Sequence, residues 1–167
     1  MQQLTRVTHE HHDRLWHYID QLDELADCLN PDCLDSGRLR DRMPELRELH
    51  RNLTDILIPH MEAVEFAVYP TVERLLKDSG RTAPMAREHA EIRRMVAQIG
   101  EFADNPETHG DRAAVLGLRR VALRLYAMLK AHLCEEEIYL PILEDTLTPA
   151  QEAALARALD HVAAELM

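Results

Sequence analysis

The chain has little with which to build a sheet or a disulfide framework. Five glycines in 167 residues leave few positions for tight hairpin turns, and at 4% aromatic the sequence is poor in the side chains that pair across strands. Three cysteines, Cys28, Cys33 and Cys134, are an odd number in a chain with ample apolar content. That argues against a secreted disulfide scaffold and for reduced thiols in a cytosol. No run approaches the ~20 apolar residues of a membrane-spanning helix. The N-terminus, Met1 to Arg6, leads straight into His9, Glu10 and His11 with no basic-then-apolar leader. Basic residues are also in deficit: nineteen Lys and Arg against thirty Asp and Glu give a net charge of -11, which repels nucleic acid phosphates and anionic lipid. These absences predict a cytoplasmic, all-α chain forming one domain over 1–167. Its expected partner is a small ligand or another protein, with no nucleic acid and no membrane.

What is present is helical periodicity. Apolar residues at 4, 7, 15, 18, 22, 25 and 29 follow a 3.6-residue repeat and predict a first helix over about 4–29, ended by Asn30-Pro31-Asp32. A second set, from Leu46 through Leu75, predicts a helix from about 38 to 77, stopped by Asp78-Ser79-Gly80. Pro44 is expected to mark its first full turn, and Pro59 to kink it beside His60. Thr82 and Pro84 open a third helix that runs to about Asp104, and a fourth spans about 111–145. Thr148-Pro149-Ala150-Gln151 reads as a capping box opening a C-terminal helix over about 148–166. The expected architecture is an up-down-up-down four-helix bundle over about 4–145 with an additional C-terminal helix.

Four histidines repeat within this pattern. His12 is followed by apolar residues at +3, +6, +7 and +10 (Leu15, Tyr18, Ile19, Leu22), and His89 by Ile92, Met95, Val96 and Ile99 at the same offsets. His60 and His132 each lie late in a second helix, ahead of glutamates and a proline. In the fourth helix the stripe Leu118, Val121, Leu125, Leu129, His132, Glu136, Tyr139 and Leu143 puts His132 and Glu136 on the face that otherwise builds the core. A buried carboxylate is costly unless paired, and the other hairpin offers His60 with Glu65. Four imidazoles and two carboxylates converging in a bundle core suit a pair of iron ions, with zinc or a single iron as alternatives.

With these residues in place the sequence resembles the hemerythrin-like, or HHE cation-binding, family, whose pattern is one histidine, then H-x-x-x-E, then both again. The resemblance covers roughly Val7 to Leu143, with His12, His60, His89, His132 and Glu136 at family positions. It implies a four-helix bundle holding an oxo- or hydroxo-bridged non-haem diiron centre that binds or reacts with oxygen, nitric oxide or peroxide. Peroxidase- or catalase-like turnover is one implied outcome, and a metal-dependent sensor or interaction bundle without turnover is the alternative. Two departures stand out. Four residues after His60 stands Val64 in place of glutamate, with Glu65 next and Glu62 pointing elsewhere. Four residues after His89, where the family's oxygen carriers hold a fifth histidine, stands Arg93. On a regular helix Glu65 is rotated roughly 140° from His60, so it joins the same metal only through a kink, a π-bulge or a second ion to one side.

Some alternatives remain open in the sequence. Glu135 competes with Glu136, because His132 lies one residue closer to its proline than His60 does, and His11 competes with His12. Cys28 and Cys33 flank a turn but lack a second cysteine pair, so apolar filler is their simplest role. Tyr18, Tyr126 and Tyr139 read most simply as packing groups, with a hydroxyl that donates a hydrogen bond to a diiron site or ligates iron as the second reading. A ferritin-like carboxylate site is disfavoured because no E-x-x-H occurs.

Overall fold

The computed structural model describes residues 3–30 and 36–165, and among these residues all the regular structure is helical. Helix α1 spans Gln3–Cys28. A long second run comprises α2 (Ser36–Asn52), a π-turn π1 (Leu53–Leu57), α3 (Ile58–Ala63), a second π-turn π2 (Val64–Val68) and α4 (Tyr69–Leu76). There follow α5 (Ala83–Asp104), a 3-10 turn (Pro106–Gly110), α6 (Arg112–Thr146) and α7 (Pro149–Glu165). The helices coincide with the periodic stretches read from the sequence, except at their terminal residues.

The ends have local causes. Lys77 adopts the left-handed conformation (φ 52°), which lets Asp78 N–H return to the Glu73 carbonyl at 3.1 Å and closes α4. Asp111 caps α6 by accepting from Ala113 N–H at 2.9 Å. At α7 the capping box forms reciprocally: Gln151 Oε1 accepts from Thr148 N–H at 3.0 Å and Thr148 Oγ1 accepts from Gln151 N–H at 3.4 Å. Pro44 behaves differently from expectation, since α2 runs through it. Leu39 and Met43 ahead of it are buried, and that packing outweighs one missing backbone hydrogen bond. The second run does not pass Pro59 as one regular helix. It takes a π-turn just before Pro59 and another after His60, with Ile58 N–H bonded to Leu53 O and Tyr69 N–H to Val64 O.

The apolar interior forms two clusters. The larger gathers Leu15, Ile19, Leu57, Met61, Ile92, Met95, Leu129 and Leu133 with their neighbours, and the smaller gathers Leu4, Val7, Ala63, Val72, Met85, Leu140, Leu143 and Leu159. Each candidate histidine sits in sequence between a residue of one cluster and a residue of the other. The polar site therefore forms a layer between two dry ends. Helix α7 packs on α1, α3 and π2, and Glu152 accepts from Leu4 N–H at 3.0 Å, which ties the last helix to the first turn of α1. At the far end α2 and α5 approach closely at Gly100, where an added Cβ would lie 2.4 Å from His50 Nε2. No helix among the described residues is long and apolar enough to cross a membrane.

Candidate metal centre

Five side chains from four elements meet in this layer: His12 from α1, His60 from α3, His89 from α5, and His132 with Glu136 from α6. All five are buried, and Glu136 stands at the centre. Its Oε2 lies 3.3 Å from His12 Nε2 and 3.2 Å from His60 Nε2. Its Oε1 lies 3.2 Å from His132 Nε2 and 3.6 Å from His89 Nε2. One carboxylate oxygen thus serves each histidine pair, and the ligand atoms form two groups that share Glu136. His89 and His132 also face each other, Nε2 to Nε2, at 2.7 Å.

The opposite ring nitrogens show what the centre requires. Glu65 lies 2.7 Å from His89 Nδ1, Glu88 lies 2.8 Å from His132 Nδ1, and Glu137 lies 3.2 Å from His12 Nδ1. An ionised carboxylate only accepts, so each of these Nδ1 atoms carries its proton, and a neutral ring then presents a bare Nε2 lone pair to the centre. Lone pairs from imidazoles and carboxylate converge with almost no donor between them. Among the described residues Tyr69 supplies a hydroxyl: it donates toward Glu136 Oε1 at 3.4 Å and lies 3.3 Å from His89 Nε2. Such a set fits cations, whether protons or metal ions, and the outer carboxylates are the arrangement that orients metal-bound imidazoles. His60 is the exception, because its buried Nδ1 has no hydrogen-bond partner.

The electrostatics reflect the same arrangement. Burial pushes the Glu136 carboxyl up, but the surrounding imidazoles outweigh it and hold the group well below the usual carboxylate range. Burial lowers His12 and His132, yet Glu136 together with Glu137 or Glu88 raises both above their ordinary value. For His60 burial prevails and its pKa is lowered, since Glu136 is its one carboxylate partner. Burial also pushes the Tyr69 phenol up, and Glu136 adds to this, so without a metal the hydroxyl keeps its proton.

The sequence matches the hemerythrin HHE cation binding domain over residues 3–143. The chain belongs to this family. No curated protein and no solved structure matches it.

Within this hemerythrin-like centre the structure brings together five of the six residues expected as ligands. Glu65 is the one it does not bring in. It stands behind His89, on Nδ1 and not Nε2, and its Oε1 also accepts from Arg93 at 2.9 Å. Burial raises Glu65, but Arg93 and His89 lower it further, so it stays ionised. The π-turn that the sequence reading allowed for is present, yet the side chain is drawn outward by Arg93. That arginine stands where the oxygen carriers of the family have a fifth histidine. Glu136 is buried while Glu135 and Glu62 are exposed. His11 packs edge-on against His60 at 5.8 Å between ring centroids but belongs to neither ligand group.

Sequence reasoning missed Tyr69, Glu88 and Glu137. At nine residues from His60, Tyr69 would lie on the opposite side of a regular helix, roughly 180° round, and the π-turn absorbs about one residue and swings it inward. Tyr18 and Tyr126 lie away from the centre, whereas Tyr139 lines the cavity beside it. Tyr126 accepts from Lys130 at 3.0 Å at the surface, Tyr18 packs against the larger cluster, and Tyr139 packs against the smaller one. A cavity of about 20 Å³, lined by His11, His60, Glu136, Tyr139 and Leu159 among others, adjoins the centre and has room for one water-sized molecule. Cys28 lines a separate surface groove with Glu24, Arg42 and Glu45, and Cys33 lies outside the described residues.

Proposed function

We propose that this protein is a non-haem dinuclear iron protein that binds or reacts with dioxygen, nitric oxide or peroxide. His12, His60 and Glu136 would hold one ion and His89, His132 and Glu136 the other, with Glu136 as the shared carboxylate, in an up-down-up-down bundle extended by α7. One observation carries the reading: buried Nε2 atoms surround a single ionised carboxylate, while three of the four rings commit their Nδ1 protons to outer glutamates. Leaving that many acceptors facing one another in an apolar layer costs several kcal/mol unless cations lie among them. Imidazole and carboxylate together accommodate iron.

Iron bound here supplies redox chemistry at a protected position. The chain supplies the rest. The apolar clusters on both sides exclude bulk water, Glu136 neutralises cationic charge from both directions, and Tyr69 holds a proton beside Glu136 Oε1 that it can present to a small ligand. The adjoining cavity, with room for one water-sized molecule beside His60 and Glu136, is where a small ligand would approach. Elemental analysis after anaerobic loading with ferrous iron, followed by exposure to air, tests this reading. Two irons per chain and near-ultraviolet absorption characteristic of coupled ferric ions are the expected result. A protein that takes up no iron, or whose His132→Ala variant takes up as much as wild type, would sink it.

A further inference from the structure

The two halves of the centre are unequal, and the inequality has a consequence for how it fills. Resting on the dinuclear reading, we infer that the metal positions load in a fixed order, the His89–His132 position first and tightly, the His12–His60 position second and weakly. Three observations carry this. First, both imidazoles of the His89–His132 pair are held from behind by close carboxylates, at 2.7 Å and 2.8 Å, and Arg93 fixes one of those carboxylates in turn. In the other pair, His12 has only the longer 3.2 Å contact with Glu137, whose side chain is 41% exposed, and His60 Nδ1 has no partner.

Second, the Tyr69 hydroxyl contacts both His89 Nε2 and Glu136 Oε1 and so braces the first position from within, whereas Glu136 Oε2 on the other side meets His12 and His60 alone among the described residues. Third, the two Nε2 atoms of the first pair already converge at 2.7 Å, so an ion there removes the sharpest lone-pair conflict in the layer. An imidazole whose second nitrogen is anchored is preset in tautomer and rotation, and loss of one such partner lowers metal affinity by about 10–100-fold. The two halves differ by at least one such partner.

Titration of the metal-free protein with cobalt(II), followed by its visible absorption and by chelator competition, reads the order without requiring any activity. Two steps are expected, with affinities at least tenfold apart. His60→Ala should abolish only the weaker step, and Glu88→Gln should weaken the stronger one by about 10–100-fold while leaving the weaker in place. Far-ultraviolet circular dichroism and melting of each variant verify its fold, and Glu88→Gln, a near-isosteric change at a partly exposed residue, keeps the test available if His60→Ala fails to fold. Two ions of equal affinity, or loss of the stronger step in His60→Ala, would overturn the ordering. A single ion, lost in His132→Ala but kept in His60→Ala, would overturn the dinuclear reading and leave the inequality standing. Uptake of no cobalt at all would overturn both.

Discussion

Helix α6 and the run from Ser36 to Leu76 both bring a histidine and a downstream carboxylate toward the layer, and they do so by different means. In α6 the helix is continuous through Pro141, so His132 and Glu136, four residues apart, share one face and both enter the centre. In the earlier run two π-turns interrupt the register. His60 enters, the following glutamate turns away to brace a histidine on another helix, and Tyr69 arrives instead. Spacing along a chain thus brings a side chain to the centre only where the helix is regular. Where it is not, the same residue types are sorted into inner and outer roles.

The largest effect is expected from removing the carboxylate that does enter. Glu136→Ala is expected to lose both ions, measured as metal per chain, because each ligand group is built on it. Its counterpart should be much milder. Glu65→Ala is expected to bind two ions at saturating metal but with affinity lowered by about 10–100-fold, read by chelator competition, because Glu65 braces His89 from behind. If Glu65→Ala instead cut the metal stoichiometry as deeply as Glu136→Ala, the division into inner and outer roles would fail.

Packing in the irregular run gives a third test, independent of metal. His50 of α2 lies against Gly100 so closely that a methyl group there must displace the ring. Gly100→Ala gains about 1 kcal/mol of helix propensity inside α5, which offsets the cost of moving the ring, so stability should stay within about 1 kcal/mol of wild type in denaturant titration, while metal stoichiometry stays the same. A much larger loss would mean that the His50 ring has no room to swing aside.

The smallest effect concerns pH in the metal-free protein. His12 and His132 are raised above 6.5 in the fold, so the stability they contribute is fully present below 6.5 and fades as pH rises through their folded values. His60 is lowered, so it costs stability only as pH falls below 6.5. The melting temperature of the metal-free protein should therefore rise as pH is brought down from the alkaline side toward 6.5. Bound metal should reverse this trend, because protons compete with it for the same nitrogens. Glu136, held far below its ordinary 4.5, keeps its contribution until the pH falls below that value. Identical melting profiles with and without metal would contradict the placement of these protons.

Much of this was legible in the sequence. The helices could be read because their apolar periodicity is regular, and the repeat of His12 and His89 with the same trailing offsets marked two inward faces. His132 and Glu136 were readable for the same reason. What could not be read depends on contacts between helices or on a local change of helical pitch. Glu88 precedes a candidate ligand yet serves His132 on another helix, and no spacing rule joins positions 44 residues apart. Tyr69 needed a π-turn whose five residues, Val64 to Val68, carry no glycine or proline to announce it.

The family resemblance ends at residue 143, but the surroundings of the centre do not. Leu159 of α7 lines the cavity beside His60 and Glu136, and Glu152 fastens that helix to the start of α1. A chain cut after Leu143 would keep His12, His60, His89, His132 and Glu136 and would lose part of the wall of the cavity beside them. The last helix is thus a removable door, whose trimming is expected to change which molecules reach the histidine layer without altering one of its five central side chains.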